Sequence, residues 1–291
     1  MPPPQLWISV FELGCFAGLV GLGYFLILRG AGLFMFALGP LAMFSAMLGS
    51  WLLVEYELPL VVPVLAGIVC VVLFAALVEV LIVRPIQERA GGEELPAIVA
   101  VVAVLFATQQ LAGTLFGRRP LPGRPWITAG PFRLGDVVIS GQAVVLGVVT
   151  IVVYGAMMLW MSRSHYGRML RAVGDNQRAA HTLGLPVSNI RIVAFALAGG
   201  VAALAGSLFS AKAGVAFQSG LSWTVAGFLA LIVGGLGRVW APLVGGLLVA
   251  TMQTMAVFYF GPAMLNYATF VMAFLFFMFR PKGIFAPRVR I

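Results

Sequence analysis

The sequence predicts an all-α protein that crosses a membrane several times, as a polytopic bundle of transmembrane helices. Of its 291 residues, 62% are hydrophobic and only 9% are charged, and the mean hydropathy is +1.06. A soluble globular domain carries about 25% charged residues, because its surface faces water. Apolar segments of about 20 residues, the length that a helix needs to cross the hydrocarbon core, recur along the whole chain. The outer surface of this bundle is therefore expected to face lipid.

The apolar segments predict about nine spans, within a range of eight to ten. In chain order they are Leu6–Leu28, Gly32–Val54, Leu60–Val83, Pro96–Phe116, Val137–Met161, Ile192–Ser210, Leu221–Leu236, Ala241–Phe260 and Ala263–Phe279. Glycine and proline are frequent in segments 32–54 and 221–260, which predicts broken or re-entrant helices there. Irregular backbone at membrane depth is tolerated only where protein buries it or where it lines a cavity. Similar glycine-rich breaks in the two halves permit a pair of inverted repeats.

The basic residues predict the orientation of the spans, because cytoplasmic loops carry an excess of Lys and Arg. Most of the 18 basic residues fall in alternate loops and in the C-terminal tail, at Arg29, Arg84, Arg89, Arg163, Arg168, Arg171, Arg178, Arg191, Arg238, Arg280, Lys282, Arg288 and Arg290. The opposite loops hold Arg118, Arg119, Arg124, Arg133 and Lys212. We expect a cytoplasmic C-terminus and an external N-terminus. The net charge of +9 then reflects membrane topology and anionic headgroups rather than nucleic-acid binding.

Residues that would support enzyme chemistry or ion coupling are scarce. The sequence has no G-x-x-x-x-G-K-[ST] loop for nucleotide phosphates and no cluster of His, Cys and carboxylate residues at metal-ligand spacing, so no cofactor is expected. Glu12 and Glu79 are the only acidic residues within apolar stretches. A carrier driven by an ion gradient usually places ionisable groups near the membrane midplane, and this chain offers few.

One charged segment, RSHYGRMLRAVGDNQRAAHTLGL, occupies residues 163–185 of the otherwise apolar chain. We expect Asp175 to cap or begin a short helix that Gly184 ends in the left-handed conformation, with Pro186 preventing its continuation. The apolar contact face of this helix is expected to comprise Ala179, Ala180 and Leu183. A helix of about nine residues is not stable alone in water. It therefore packs either on its own spans or in a groove of a cytoplasmic partner.

This segment resembles the cytoplasmic coupling loop of permease subunits from ATP-binding-cassette (ABC) importers of branched-chain amino acids. The family pattern G-R-x-x-R-A-V is matched from Gly167 to Val173, and AAHTLG and AFALAGGVAALAGSL match the helix and the small-residue span that follow. VRPIQ after the third span, GFLALIVGGLGRVWAPLVGGLL and FRPKGIF extend the resemblance over most of the chain. Family members commonly carry Asn-Phe-Ala-His-Gly in the second span. Here MFALG places Met35 and Leu38 at the two polar positions, which suggests the less polar half of a permease pair.

The resemblance implies one permease domain over residues 1–291, with a cytoplasmic coupling loop at 162–190, in a bacterial or archaeal cytoplasmic membrane. It implies a non-catalytic transport subunit that works with a second permease, two cytoplasmic ABC ATPases and an external solute-binding protein. Membrane lipid surrounds such a subunit, and nucleic acid is not a partner. The implied substrates are branched-chain amino acids or related small solutes such as amides and urea. A gradient-driven carrier or channel for small solutes is the alternative.

Two sets of residues are candidate sites. The set that the resemblance assigns to ATPase coupling is Asp175, Arg178, Ala179, Ala180, His181, Leu183 and Gly184. The broken segments predict a substrate path whose candidate residues are Met35, Phe36, Leu38, Gly39, Phe228, Gly234 and Gly235. Interrupted helices expose backbone N–H and C=O groups that can bind a polar solute, and the larger side chains of this set supply apolar walls. Close packing of helices at the glycines is the alternative explanation.

Overall fold

The computed structural model describes residues 3–90, 94–127, 132–134, 137–280 and 283–285. Its helices are α1 (Pro4–Ala31), α2 (Leu38–Glu55), α3 (Val61–Val78), α4 (Arg84–Arg89), α5 (Glu94–Leu115), α6 (Gly141–Arg163), α7 (His165–Asp175), α8 (Gln177–Thr182), α9 (Val187–Ala213), α10 (Ser219–Gly234), α11 (Ala241–Phe260) and α12 (Met264–Phe279). A π-helical turn, Glu79–Val83, joins α3 to α4 into one continuous helix. An antiparallel pair of short strands, β1 (Phe132–Leu134) and β2 (Val137–Ile139), lies between α5 and α6.

Seven helices in the described part of the chain are long and apolar enough to cross a bilayer. They are α1, α2, the continuous α3–α4 helix, α5, α6, α9 and α11. The other two apolar segments form α10 and α12, which have only 16 residues each. The predicted helical transmembrane bundle is therefore confirmed, with seven helices of full spanning length.

α1 is the central helix of the bundle. In its most apolar window 89% of the residues are buried, whereas the corresponding fraction is 28% for α6, for α11 and for the α3–α4 helix. α1 packs against α9, α10, α11 and α2. Its Gly14 and Gly18 lie directly against Leu247 and Leu243 of α11, where a larger side chain would have no room. Small residues thus let helix backbones approach closely, as is usual within membranes.

α2 begins inside the bundle rather than at its end. α1 is closed by Gly32 in the left-handed conformation (φ 69°), and residues 33–37 are not helical. The first residue of α2, Leu38, lies against Gly23 of α1, and Gly39 lies against Gly220 at the start of α10. The break expected in the second span is therefore located between residues 32 and 37.

The two ends of the bundle carry different charged groups. At one end, Arg29 pairs with Asp175 of α7 at 3.0 Å, and Arg84 lies close by at the start of α4. At the other end, Lys212 at the end of α9 pairs with Glu12 at 2.7 Å. The structure thus places Arg29 and Arg84 at the same end as α7 and α8.

Candidate coupling loop and substrate path

α7 is an amphipathic helix that lies across one end of the bundle. The Ser164 hydroxyl caps it by accepting a hydrogen bond from the Gly167 N–H at 2.9 Å. Gly167, Leu170 and Val173 are its buried residues, at the spacing that places them on one face. Leu170 contacts Gly30 in the last turn of α1. The first half of the charged segment is therefore held on the bundle by apolar contacts.

α8 is capped by Asn176, and the expectation that Asp175 caps this helix is wrong. The backbone of Asn176 is extended (φ −158°, ψ 100°), which turns its side chain toward the helix, and its Oδ1 accepts a hydrogen bond from the Ala179 N–H at 3.0 Å. Asp175 is instead the last residue of α7 and accepts a hydrogen bond from Arg29 at 3.0 Å. Since Arg29 also donates to the Leu236 carbonyl at 3.0 Å, Asp175 fastens the loop to two parts of the bundle.

The C-terminal end of α8 is as the sequence predicts, but the distribution of buried and exposed residues around the helix is not. Gly184 is left-handed (φ 76°), and the Leu185 N–H returns to the Ala180 carbonyl at 3.1 Å. Ala180 is 2% exposed and packs inward, but Leu183 is 80% exposed and Ala179 is also exposed. The expected common apolar face is therefore wrong, because the chain leaves the helix before Leu183 and directs this residue away from the bundle. The side chain of Arg178 lies outside the described residues.

A buried ion pair connects α9 to the helix formed by α3 and α4. Arg191, in the second turn of α9, donates from Nε to Glu79 Oε1 at 2.6 Å and from Nη2 to Glu79 Oε2 at 3.3 Å. Nη2 also donates to Gln87 at 2.6 Å. The side chains of Arg191 and Glu79 are 10% and 1% exposed. Glu79 begins the π-helical turn, so the distortion of α3 and the contact with α9 occur at the same residue.

A cavity of about 530 Å³ separates α8 from this ion pair. His181 lines it from α8, Ser188 from the first turn of α9, and Gln87 from α4. Gly32 lines its opposite wall, at the residue where the non-helical segment before α2 begins. The candidate coupling loop and the break in the second span therefore border a shared space.

Three aromatic side chains meet beside the non-helical segment 33–37. The ring centroids of Phe34 and Phe36 lie 5.4 Å and 5.5 Å from that of Phe228 in α10, and all three rings are partly exposed. The Thr224 hydroxyl donates to the Phe36 carbonyl at 2.9 Å and so ties the segment to α10. Two of the predicted path residues, Phe36 and Phe228, are thus in contact although they are far apart in the sequence.

The remaining predicted path residues are not all in one place. Met35 and Leu38 are fully buried, and Gly39 is packed closely against α10. Gly234 lies against Ala241, and Gly235 lies at the end of the bundle that carries α7 and α8, so both are separated from the aromatic group. For these glycines the alternative explanation, close helix packing, describes what the structure contains.

Sequence reasoning missed one polar side chain, Tyr24, and two ion pairs that involve buried carboxylates. Tyr24 was not singled out, because a tyrosine in an apolar helix carries no pattern of its own. Glu79 and Glu12 were recognised as the acidic residues within apolar stretches, but their partners Arg191 and Lys212 were assigned only to loops. The sequence signal that connects these pairs is the cost of leaving a carboxylate unpaired within a membrane.

A family model described as "Branched-chain amino acid transport system / permease component" matches residues 8–279. The match includes all the spanning helices, the coupling loop and the broken segment before α2. The chain belongs to this family. It is a membrane permease component of an ABC importer, as the sequence pattern of residues 163–185 had indicated.

Individual relatives agree with the family. The chain is 26% identical over 295 residues to the high-affinity branched-chain amino acid transport system permease protein BraD of Pseudomonas aeruginosa, covering 96% of this chain and 94% of the relative. It is 23% identical over 308 residues to the corresponding LivH protein of Salmonella typhimurium, with the same coverage. A shorter match, 32% identical over 144 residues, covers 49% of this chain and 40% of the autoinducer 2 import system permease protein LsrC of Salmonella paratyphi B.

A solved structure has a similar fold. PsaBC from Streptococcus pneumoniae, in complex with a Fab, aligns with a TM-score of 0.50 and 14% sequence identity. The alignment covers 94% of this chain and 89% of that chain. At this identity the likeness concerns the arrangement of helices alone.

Proposed function

We propose that this protein is the permease subunit through which an ABC importer moves branched-chain amino acids, or closely related small solutes, across a bacterial cytoplasmic membrane. The observation that carries the proposal is the match of residues 8–279 to the permease family, together with full-length relatives named for branched-chain amino acid transport. The subunit itself makes and breaks no covalent bond. Two cytoplasmic ATPases, a second permease and an external solute-binding protein complete the importer.

The orientation we propose places α7 and α8 in the cytoplasm, with the N-terminus outside and the C-terminus inside. Arg29, Arg84 and Arg191, three of the basic residues assigned to the cytoplasm, lie at this end of the bundle. Lys212 and the exposed Arg124 lie at the opposite end. This distribution supports the positive-inside assignment. α10 and α12 are proposed as two short additional spans, which gives nine in total.

The coupling loop at 162–190 is proposed to receive the motion of the ATPases through α8. Leu183 and Ala179 are the apolar residues that α8 and its C-terminal turn leave exposed, and they suit insertion into a groove of a partner. The Asp175–Arg29 pair and the packing of Ala180 fasten the same helix to the bundle. A push on α8 would then reach α9 at once and reach α3 through Arg191. ATP binding shifts the bundle between its two states because the closed ATPases bind one state better.

The substrate path is proposed to pass the broken segment at Phe36 and the facing residue Phe228, with the buried residues Met35, Leu38 and Gly39 packed behind them. Non-helical backbone at this depth, beside partly exposed aromatic rings, supports that location. Gly234 and Gly235 are proposed to serve the path only indirectly, by allowing α10 to pack closely at the cytoplasmic end.

The decisive experiment is ATP-dependent uptake of labelled leucine by the complete importer in proteoliposomes. Leu183→Asp should leave the permease folded and inserted but abolish uptake, because a charged residue replaces the exposed apolar contact with the ATPase. Leu183→Met, which keeps an apolar side chain of similar size, is the matched control and should retain uptake. Normal uptake by Leu183→Asp would contradict the coupling assignment. Absence of leucine uptake by the wild-type importer would contradict the substrate.

A further inference from the structure

The non-helical segment 33–37 is buried within the bundle although its backbone N–H groups have no partner among the described residues. Leu33, Met35 and Ala37 are between 0% and 6% exposed. Leu38 contacts Gly23, which is about 12 Å inside the end of α1 at a rise of 1.5 Å per residue. The segment therefore enters the interior of the spanning region instead of following its surface.

Five consecutive backbone N–H groups, those of residues 33–37, donate no hydrogen bond to any described residue. Buried N–H groups without a partner are rare in proteins, and each is costly in a membrane, where water cannot replace the partner. The neighbouring carbonyls are better satisfied, because Met35 O accepts from the Leu38 N–H and Phe36 O accepts from Thr224. Among the described residues the segment therefore leaves five N–H donors without a partner, but only two carbonyls, those of Leu33 and Phe34.

Tyr24 adds a further donor at the same place. Its side chain is 1% exposed, and its hydroxyl faces Thr224 without forming a hydrogen bond within the described residues. The hydrogen of the Thr224 hydroxyl is directed toward the Phe36 and Gly220 carbonyls, at 2.9 Å and 3.0 Å, so Thr224 does not donate a hydrogen bond to Tyr24. The ring of Tyr24 lies 6.3 Å from that of Phe228, which places its hydroxyl beside the aromatic group.

The electrostatic potential at the N-terminus of α2 favours a negatively charged group. The 18-residue α2 begins at Leu38, so the positive end of its helix dipole lies beside the unpaired N–H groups. Its third residue, Pro40, has no N–H, and the Gly39 N–H is not bonded within the described residues. Helix N-termini within membrane helix bundles are suited to anionic substrate groups. Phe228 and Thr224, which contact the segment, carry no charge, so the stabilisation of an anion comes from dipoles.

We infer that the N–H groups of residues 33–37 and the Tyr24 hydroxyl bind the carboxylate of the transported solute, while Phe34, Phe36 and Phe228 contact its apolar side chain. A carboxylate fits because it is an acceptor with two oxygens, each able to receive more than one hydrogen bond. The neutral carbonyl of an amide or of urea satisfies fewer donors and gains less from the helix dipole. This inference rests on the proposed transport function and assigns its substrate class to monocarboxylates with an apolar side chain.

Ligand-induced thermal stabilisation of the purified permease–ATPase complex, without the binding protein, tests the site directly. The probes are leucine, 4-methylpentanoate, which keeps the carboxylate but lacks the amine, and isopentylamine, which keeps the amine but lacks the carboxylate. Leucine and 4-methylpentanoate should stabilise the complex, and isopentylamine should not. Tyr24→Phe removes one hydroxyl and should raise the concentration for half-maximal stabilisation about tenfold, as expected for losing a hydrogen bond to a charged group.

Tyr154→Phe is the matched control, because the Tyr154 hydroxyl is also buried in the bundle but donates to the Gly18 carbonyl at 2.7 Å. Tyr154→Phe should lower the melting temperature without changing the ligand concentration that gives half-maximal stabilisation. Equal half-maximal concentrations for Tyr24→Phe and the wild type would overturn the inference, as would stabilisation by isopentylamine equal to that by the carboxylates.

A second measurement covers the case in which Tyr24→Phe does not fold. Phe34→Cys, in a protein that lacks Cys15 and Cys70, should react with a small water-soluble thiol reagent, and 4-methylpentanoate but not isopentylamine should slow the reaction. Equal rates with both probes would refute the site. Carboxylate binding without ATP-driven leucine uptake would refute the proposed function and leave the site intact, whereas uptake with unchanged Tyr24→Phe binding would refute the site alone.

Discussion

The ion pair between Arg191 and Glu79 is the contact whose loss we expect to damage the protein most. Its two closest atoms are 2.6 Å apart, and both side chains are almost completely buried. Replacing Arg191 with Met leaves the Glu79 carboxylate buried and without its cationic partner, which costs about 3–5 kcal/mol in other proteins. That loss is a large fraction of a typical free energy of unfolding, about 5–15 kcal/mol.

The same reasoning makes a sharper prediction for the double variant. When Glu79→Met accompanies Arg191→Met, no charge remains to be desolvated, and an apolar pair is often as stable as the buried ion pair that it replaces. The double variant should therefore recover at least about 2 kcal/mol of the loss caused by Arg191→Met alone. A recovery of that size in the free energy of unfolding is well above the interaction energy expected between substitutions at two residues that are not in contact.

The assay is thermal or denaturant unfolding of the detergent-purified permease for the wild type, both single variants and the double variant. Arg191→Lys is the conservative variant in this series. It keeps the positive charge, but lysine has no planar group that can donate to Glu79 and Gln87 at the same time. It should fall between wild type and Arg191→Met. The reasoning is refuted if Arg191→Met unfolds within about 1 kcal/mol of wild type, or if the double variant loses the sum of the two single losses.

Three further predictions concern the loop and the broken segment. Gly184→Val should reduce uptake and lower the free energy of unfolding by about 1–2 kcal/mol, because a β-branched residue is strained at φ 76°. Gly184→Asn should have a smaller effect. Equal uptake and equal melting temperatures for the wild type and both variants would contradict this prediction. Ala180→Glu should lower the melting temperature of the permease itself, since Ala180 is 2% exposed, and an unchanged temperature would place this residue on the partner's side. Phe36→Cys should react with a water-soluble thiol reagent and Leu38→Cys should not, because Phe36 is partly exposed whereas Leu38 is fully buried. Faster reaction at Leu38→Cys than at Phe36→Cys would contradict this assignment of the water-accessible path.

Features that depend on composition or on a few neighbouring residues could be predicted from the sequence. The membrane location follows from the scarcity of charged residues, and the break after Gly32 follows from a local cluster of glycine and proline. The left-handed Gly184 was predicted correctly because glycine avoids the steric cost that other residues pay in that conformation, whatever the remainder of the chain does. Family membership was equally accessible, because the motifs of the loop occur in one continuous stretch.

Only the tertiary structure could decide which residues meet across the bundle. The spanning helices are apolar on nearly every face, so their sequences do not indicate how each helix is rotated or which neighbour it contacts. The meeting of Phe36 with Phe228, and of Glu79 with Arg191, depends on that packing. The position of the Tyr24 hydroxyl, which has no hydrogen-bond partner in the described part of the chain, depends on the same packing.

In α8, the candidate coupling helix, some features likewise follow from single residues and others from tertiary contacts. Its end at Gly184 is a property of a single residue, but its cap and its faces depend on where the chain leaves α7 and how α8 is rotated on the bundle. Asn176 caps α8 because Asp175 is still helical and is held by Arg29, a residue 146 positions away. Ala180 is buried and Leu183 exposed because the bundle covers one side of α8 only. The sequence by itself determined that a helix forms here and where it ends, while the tertiary contacts alone decided which of its residues remain free for a partner.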